Sequence, residues 1–117
     1  MPGRSRQHTI LHASLALAFL TSAAFAFVSL EPLIDHAWIG LLRHGGPLLR
    51  IRAAAALGAR RSQRAVQHLV RALRQDADER VRDAAAEALG SLGPGAGGQA
   101  IEALIEAVAA RALGALL

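Results

Sequence analysis

The sequence predicts an all-α fold: a short α-solenoid of stacked helical hairpins preceded by an N-terminal hydrophobic helix. Three observations predict it. The composition is rich in Ala and Leu and poor in β-branched residues, an uncharged run of 22 residues lies near the amino terminus, and a two-helix pattern recurs at an offset of 32. At 117 residues the chain is one domain at most. It is 53% hydrophobic but 3% aromatic, and its 13 basic residues, all arginine, face 9 acids for a net charge of +4. With no Cys, disulfide scaffolds, thiolate metal sites and thiol nucleophiles are excluded. With 19% charged residues and only 4 Pro, neither a disordered polyelectrolyte nor a β sandwich fits.

The first element runs from Thr9 to Leu30, after a head bearing Arg4, Arg6 and His8. A helix of that length reaches about 30 Å, the thickness of a bilayer hydrocarbon core. Residues 1–30 therefore read as a membrane-targeting segment, either a transmembrane anchor or a signal peptide cleaved near Ala24 and Ala26. A buried helix of a soluble domain is the alternative, although it normally keeps a polar stripe, and here only Thr9, His12, Ser14, Thr21, Ser22 and Ser29 are available. Arg4 and Arg6 before the run, and Glu31 and Asp35 after it, favour an inside amino terminus. A membrane-associated or exported location, periplasmic or extracellular, is the corresponding expectation.

Residues 31–117 read as the repeat domain. LRIRAAAALG, Leu49 to Gly58, aligns with VRDAAAEALG, Val81 to Gly90, with six of ten positions identical. Each copy is followed by a second helical pattern: Ala65, Val66, Leu69, Val70 and Leu73 after the first, Ala100, Ile101, Leu104, Ile105 and Val108 after the second. The second offset is 35 because the Gly93–Gly98 loop is longer. Hairpins of this kind cannot bury their apolar faces alone and must stack. The alanine clusters allow close approach, and Leu57, Leu69, Leu89 and Leu104 are expected to fill the layer between helices. Gly58 and Gly90 are expected to supply the left-handed conformation that stops a helix, and Asp76 and Asp78 to cap the next one.

The run LRQDADERVRDAAAEALGSLG, Leu73 to Gly93, resembles the HEAT-like repeat of the phycobilisome-lyase type: a leucine, an acidic turn, Val-Arg, an alanine cluster and Leu-Gly. LEPLI, Leu30 to Ile34, resembles the opening of a second helix in such repeats, so a half-repeat is expected to begin there. The resemblance implies an aspartate–arginine ladder between repeats, through residues placed as Asp76 and Arg82 are. In the earlier copy His44 stands in the place of Asp76. ARALG, Ala110 to Gly114, echoes a first helix but lacks an acidic turn, so the third repeat reads as collapsed into one helix. The resemblance also brings bilin lyases into view as relatives, with no catalytic residue to carry over.

Charge is lopsided, with eight arginines and no acid between His36 and Gln75, then seven acids and two arginines from Asp76 to Glu106. Arg60, Arg64, Arg71 and Arg74, read as lying on one helix, are candidate contacts for an anionic partner, against the plainer reading of a solvated helix side. Nucleic acid is disfavoured because base-stacking aromatics are missing. Trp38 reads as a core or membrane-interface residue. No catalytic constellation is found. His8 and His12 share a helical face without a third ligand, Glu102 and Glu106 read as solvated, and Gly93, Gly95 and Gly98 satisfy a dinucleotide spacing without the preceding strand. The expected function is a non-enzymatic scaffold for a protein partner, with no cofactor and no metal. Its membrane contact runs through residues 9–30, and the C-terminal Leu113, Leu116 and Leu117 leave an end open to a partner or to self-association. The alternatives are a bilin-lyase subunit or relative, and an anionic-lipid or nucleic-acid binder acting through the basic 43–74 segment.

Overall fold

The computed structural model describes residues 30–117. The hydrophobic segment, its two targeting readings and the His8/His12 pair lie outside the described residues. The chain divides into two compact units, Met1–Ile34 and Asp35–Leu117, and the second carries the repeats. Five helices follow in order: α1 over 30–44, α2 over Pro47–Ala59, α3 over Val66–Gln75, α4 over Glu79–Leu92 and α5 over Gly98–Leu116. Among the described residues there is no strand. None of these helices is long and apolar enough to cross a membrane.

Local chemistry sets the boundaries. Pro47 starts α2 at the position where its missing N–H costs nothing. The helix ends as the amides of Arg60, Arg61 and Ser62 bond back to Ala56, Gly58 and Leu57, with Arg61 itself left-handed at φ 50°. A single 3-10 turn, Gln63–Ala65, leads into α3. Asp78 caps α4, its carboxylate accepting the Arg80 amide at 2.8 Å. Gly93, at φ 62°, ends α4, and the 3-10 turn Gly93–Ala96 and Gly97, at φ 87°, lead into α5. The Gly93, Gly95, Gly98 spacing thus joins two helices. α5 continues to Leu116 without a break, so the third repeat is one helix.

The glycines of the repeat do not act as the sequence suggested. Gly58 and Gly90 lie inside α2 and α4, and neither has positive φ; the left-handed positions are Arg61, Gly93 and Gly97. Gly58 is needed for a different reason: a Cβ there would stand 2.8 Å from the Ala88 Cα on α4. At Gly90 a Cβ would meet nothing within 4 Å.

Packing follows the repeat. α2 lies along α4, and α3 contacts both α4 and α5. Leu57, Leu69, Val81 and Leu89 are the largest fully buried side chains, with Ala53, Ala54, Ala85 and Ala88 between them. Each large side chain contributes about 1.5–3 kcal/mol by burial. Ile39 and Leu42 of α1 join the same core, with Trp38 half-buried against it. Leu104, expected in the filled layer, is only half-buried, because among the described residues no helix covers that side of α5.

Candidate docking surface

The ion pairs within the array show how one repeat holds the next. Arg50 at the start of α2 donates from Nε and Nη2 to the two carboxylate oxygens of Asp76, at 2.9 and 3.1 Å, and from Nη1 to the Gly45 carbonyl at 2.9 Å. The fork fixes the guanidinium in a plane while its third nitrogen tethers the preceding turn. Asp76 also accepts the amide of Asp78 at 2.9 Å, so one carboxylate shapes its own turn and clasps the neighbouring repeat. Asp78, not Asp76, is the residue that caps α4.

Arg82 occupies in α4 the place of Arg50 in α2. Its Nη1 donates to the carbonyls of Asp76 at 2.7 Å and Ala77 at 3.3 Å, repeating the tether from Arg50 to Gly45. Among the described residues, nothing accepts from its Nε or Nη2. The ladder partner of the Asp76 carboxylate is therefore Arg50, 26 residues earlier, while Arg82 holds only backbone oxygen.

The predicted basic surface is partly neutralised from within, by Asp35 and Glu106. Arg60, Arg64, Arg71 and Arg74 do not share one helix: Arg60 follows the end of α2, Arg64 lies in the 3-10 turn, and only Arg71 and Arg74 are on α3, because the left-handed Arg61 and extended Ser62 interrupt the helix. Arg60 donates to the buried Asp35 at 2.8 Å, Ser62 donates to the same carboxylate at 2.9 Å, and Arg64 stands 3.7 Å away. Burial works to raise the Asp35 carboxyl, but these hydrogen bonds and the charges of Arg60 and Arg64 outweigh it and hold it below the ordinary carboxylate value. Arg74 pairs with Glu106 of α5 at 3.0 and 3.2 Å. Arg71 makes no ion pair among the described residues and borders, with Arg43, His44 and His68, a cleft of about 360 Å³. There burial, and then the charges of Arg43 and Arg71, push the His68 imidazole below its ordinary value.

Sequence reasoning missed Asp35 as a structural residue. It has no place in the repeat, and its partners lie 25 and 27 residues away in the α2–α3 turn. The one available signal was an acid inside a stretch, Leu33 to Ile39, that is apolar but for His36.

At the other end, α4 and α5 frame a cleft of about 470 Å³ in which Leu73, Leu104 and Val108 lie beside Arg82, Glu79 and an ion pair, Arg111 to Asp83, that joins the two helices. The internal repeat provides a control for reading it. Val70 and Leu73 of α3 are 3% and 6% exposed, whereas their counterparts on α5, Ile105 and Val108, are 63% and 67% exposed. Ala54 and Gly58 of α2 are buried, while Ala86 is half-buried and Gly90 exposed.

Residues 34–116, most of the chain, match the family model of HEAT repeats. The chain belongs to the HEAT repeat family. The match is to HEAT repeats at large and specifies no narrower type, so the likeness to the phycobilisome-lyase type stays a resemblance. No curated protein and no solved structure matches the chain. HEAT repeats generally serve as protein-interaction scaffolds and are typically non-catalytic.

Proposed function

We propose that this HEAT-repeat chain is a non-enzymatic docking scaffold that binds a protein partner on the α4/α5 face, which is exposed among the described residues. The observation that carries the reading is the contrast between Val70 and Leu73, buried in α3, and Ile105 and Val108, exposed at the same repeat positions of α5. Large apolar side chains left exposed together, as Ile105 and Val108 are, mark interaction surfaces. The basic 43–74 segment supports an anionic-lipid or nucleic-acid reading less well, since Arg50, Arg60 and Arg74 are engaged by Asp76, Asp35 and Glu106. The bilin-lyase relationship has only the repeat resemblance behind it. Attachment to a membrane, or export, rests on the uncharged run from Thr9 to Leu30.

The test of docking is capture of partner proteins by the full chain and by an I105D/V108D variant whose helical content is verified by circular dichroism. Partners retained by the parent and lost by the variant support the reading. Equal capture by both contradicts it. Sequencing the mature amino terminus of membrane-recovered protein tests targeting: soluble protein beginning at Met1 defeats it.

A further inference from the structure

The cleft beside α1 and the cleft between α4 and α5 are the same cleft one repeat apart, and their charges differ. Offsets of 32 along the first helices and 35 along the second carry Arg50, His68, Arg71 and Gln75 of the earlier cleft onto Arg82, Ala103, Glu106 and Ala110 of the later one. The later cleft is lined by three arginines and three carboxylates, with Arg74 paired to Glu106 and Arg111 to Asp83. The earlier one is lined by Arg43, Arg50 and Arg71 against a single carboxylate, Asp76, whose two oxygens are both held by the Arg50 fork. Arg43, at the end of α1, and Arg71, on α3, are thus exposed in one recess of about 360 Å³ without an ion pair among the described residues. Residues 1–29 contain no acid, so the preceding segment brings them no carboxylate. Helix ends change the balance little: α1 and α3 bring C-terminal partial charges of about −0.5 each, and α2 an N-terminal one of about +0.5. His68, Arg71 and Gln75 share a face of α3 at helical spacing, which sets an imidazole and an amide beside the two guanidiniums.

We infer that this recess is a binding site for the phosphate group of a small soluble molecule, a phosphomonoester or diphosphate, held between Arg43 and Arg71 with His68 and Gln75 donating beside them. The site shares no lining residue with the α4/α5 cleft and is independent of protein docking there. A phosphomonoester brings nearly two negative charges and three acceptor oxygens, enough for two guanidinium forks, whereas one carboxylate satisfies one fork, as Asp76 does with Arg50. The lining has no aromatic side chain on which a base could stack, which disfavours single-stranded nucleic acid. A bilayer surface would meet exposed arginines wherever they lie, Arg52 and Arg61 included, and does not call for two converging in a recess. The His68 imidazole, kept below its ordinary value by burial and by Arg43 and Arg71, is neutral at pH 7 and has one N–H to donate.

The probe is inorganic pyrophosphate, titrated by calorimetry into the full chain at pH 7 and fixed ionic strength. Saturable one-to-one binding is expected. It should weaken about tenfold with Arg43→Gln and about tenfold with Arg71→Gln, and stay unchanged with Arg52→Gln, which removes the same charge from an exposed position outside the recess. Circular dichroism checks that each variant keeps its helical content. Succinate, with its two charges on separate carboxylates, is expected to bind about tenfold more weakly than pyrophosphate. In an NMR titration the His68 midpoint should rise once pyrophosphate is bound, because the anion offsets Arg43 and Arg71. Asp76 stays engaged by Arg50, and His36 and Arg64, across the adjoining hollow, face His68 in both states. Equal weakening by Arg52→Gln would mean diffuse charge attraction and would overturn the site, as would absence of binding, tighter binding of succinate, or an unmoved His68. Sedimentation with phosphatidic-acid vesicles that depends on Arg43 and Arg71, without pyrophosphate binding, would place the phosphate in a membrane and overturn the soluble ligand.

Discussion

The α2/α3 face and the α4/α5 face are two versions of one surface, one closed by the next helix and the other open. On the closed face the Arg50 fork, Gly58 and Val70 each have a partner; among the described residues the Arg82 fork, Gly90 and Ile105, at the equivalent positions of the α4/α5 face, do not. Burial in this chain is therefore set by neighbours as much as by residue type. Ile105 is as apolar as Val70, yet only Val70 is in the core.

Substitutions of large apolar side chains should separate the two faces most strongly. Leu57→Ala, at a fully buried position, is expected to lower unfolding free energy by about 2–5 kcal/mol in urea titration. Ile105→Ala on the open face should stay within about 0.5 kcal/mol. The ion pairs come next. Asp76→Ala removes the fork to Arg50 and the bond to the Asp78 amide and should cost about 1–3 kcal/mol. Glu106→Ala, which breaks the exposed pair with Arg74, should cost under about 1 kcal/mol. A comparable loss at both sites would erase the distinction.

Acid sensitivity sharpens the contrast further. Asp78 is lowered to about 2 by the side-chain and backbone hydrogen bonds of Arg80, and Asp35 is also depressed. A carboxyl with a folded value below its unfolded one adds stability above the unfolded value, here 3.8, and that contribution is lost as pH falls through the folded value. Thermal melts between pH 4 and about pH 2 should therefore show falling stability, with a shallower fall in Asp78→Asn. The smallest effect is expected at the turn closing α2. Arg61→Gly should raise stability by up to about 1 kcal/mol, since glycine adopts the positive φ without strain.

Much of the array was legible in the sequence because stacking repeats leave a periodic record. The offset of 32, the helix pairs, the collapsed third repeat and the buried alanines and leucines all follow from local pattern. What was not legible depends on contacts across the stack. Gly58 looks like a helix stop until Ala88 is placed against it. Arg60, Arg64 and Arg74 look like part of a free basic face until stacking brings up Asp35 and Glu106, which are distant in sequence. The ladder through Asp76 was expected from resemblance, but its arginine proved to be Arg50, in the neighbouring repeat.

The most direct test of a closed face and an open face built alike is to melt Gly58→Ala and Gly90→Ala side by side. The account predicts opposite signs. The first should lose about 1–3 kcal/mol, because the new methyl meets the backbone of Ala88 at 2.8 Å. The second should be neutral or gain up to about 1 kcal/mol from improved helix propensity in open space. Equal shifts in the same direction would contradict the pairing of α2 with α4 and the openness of the α4/α5 end.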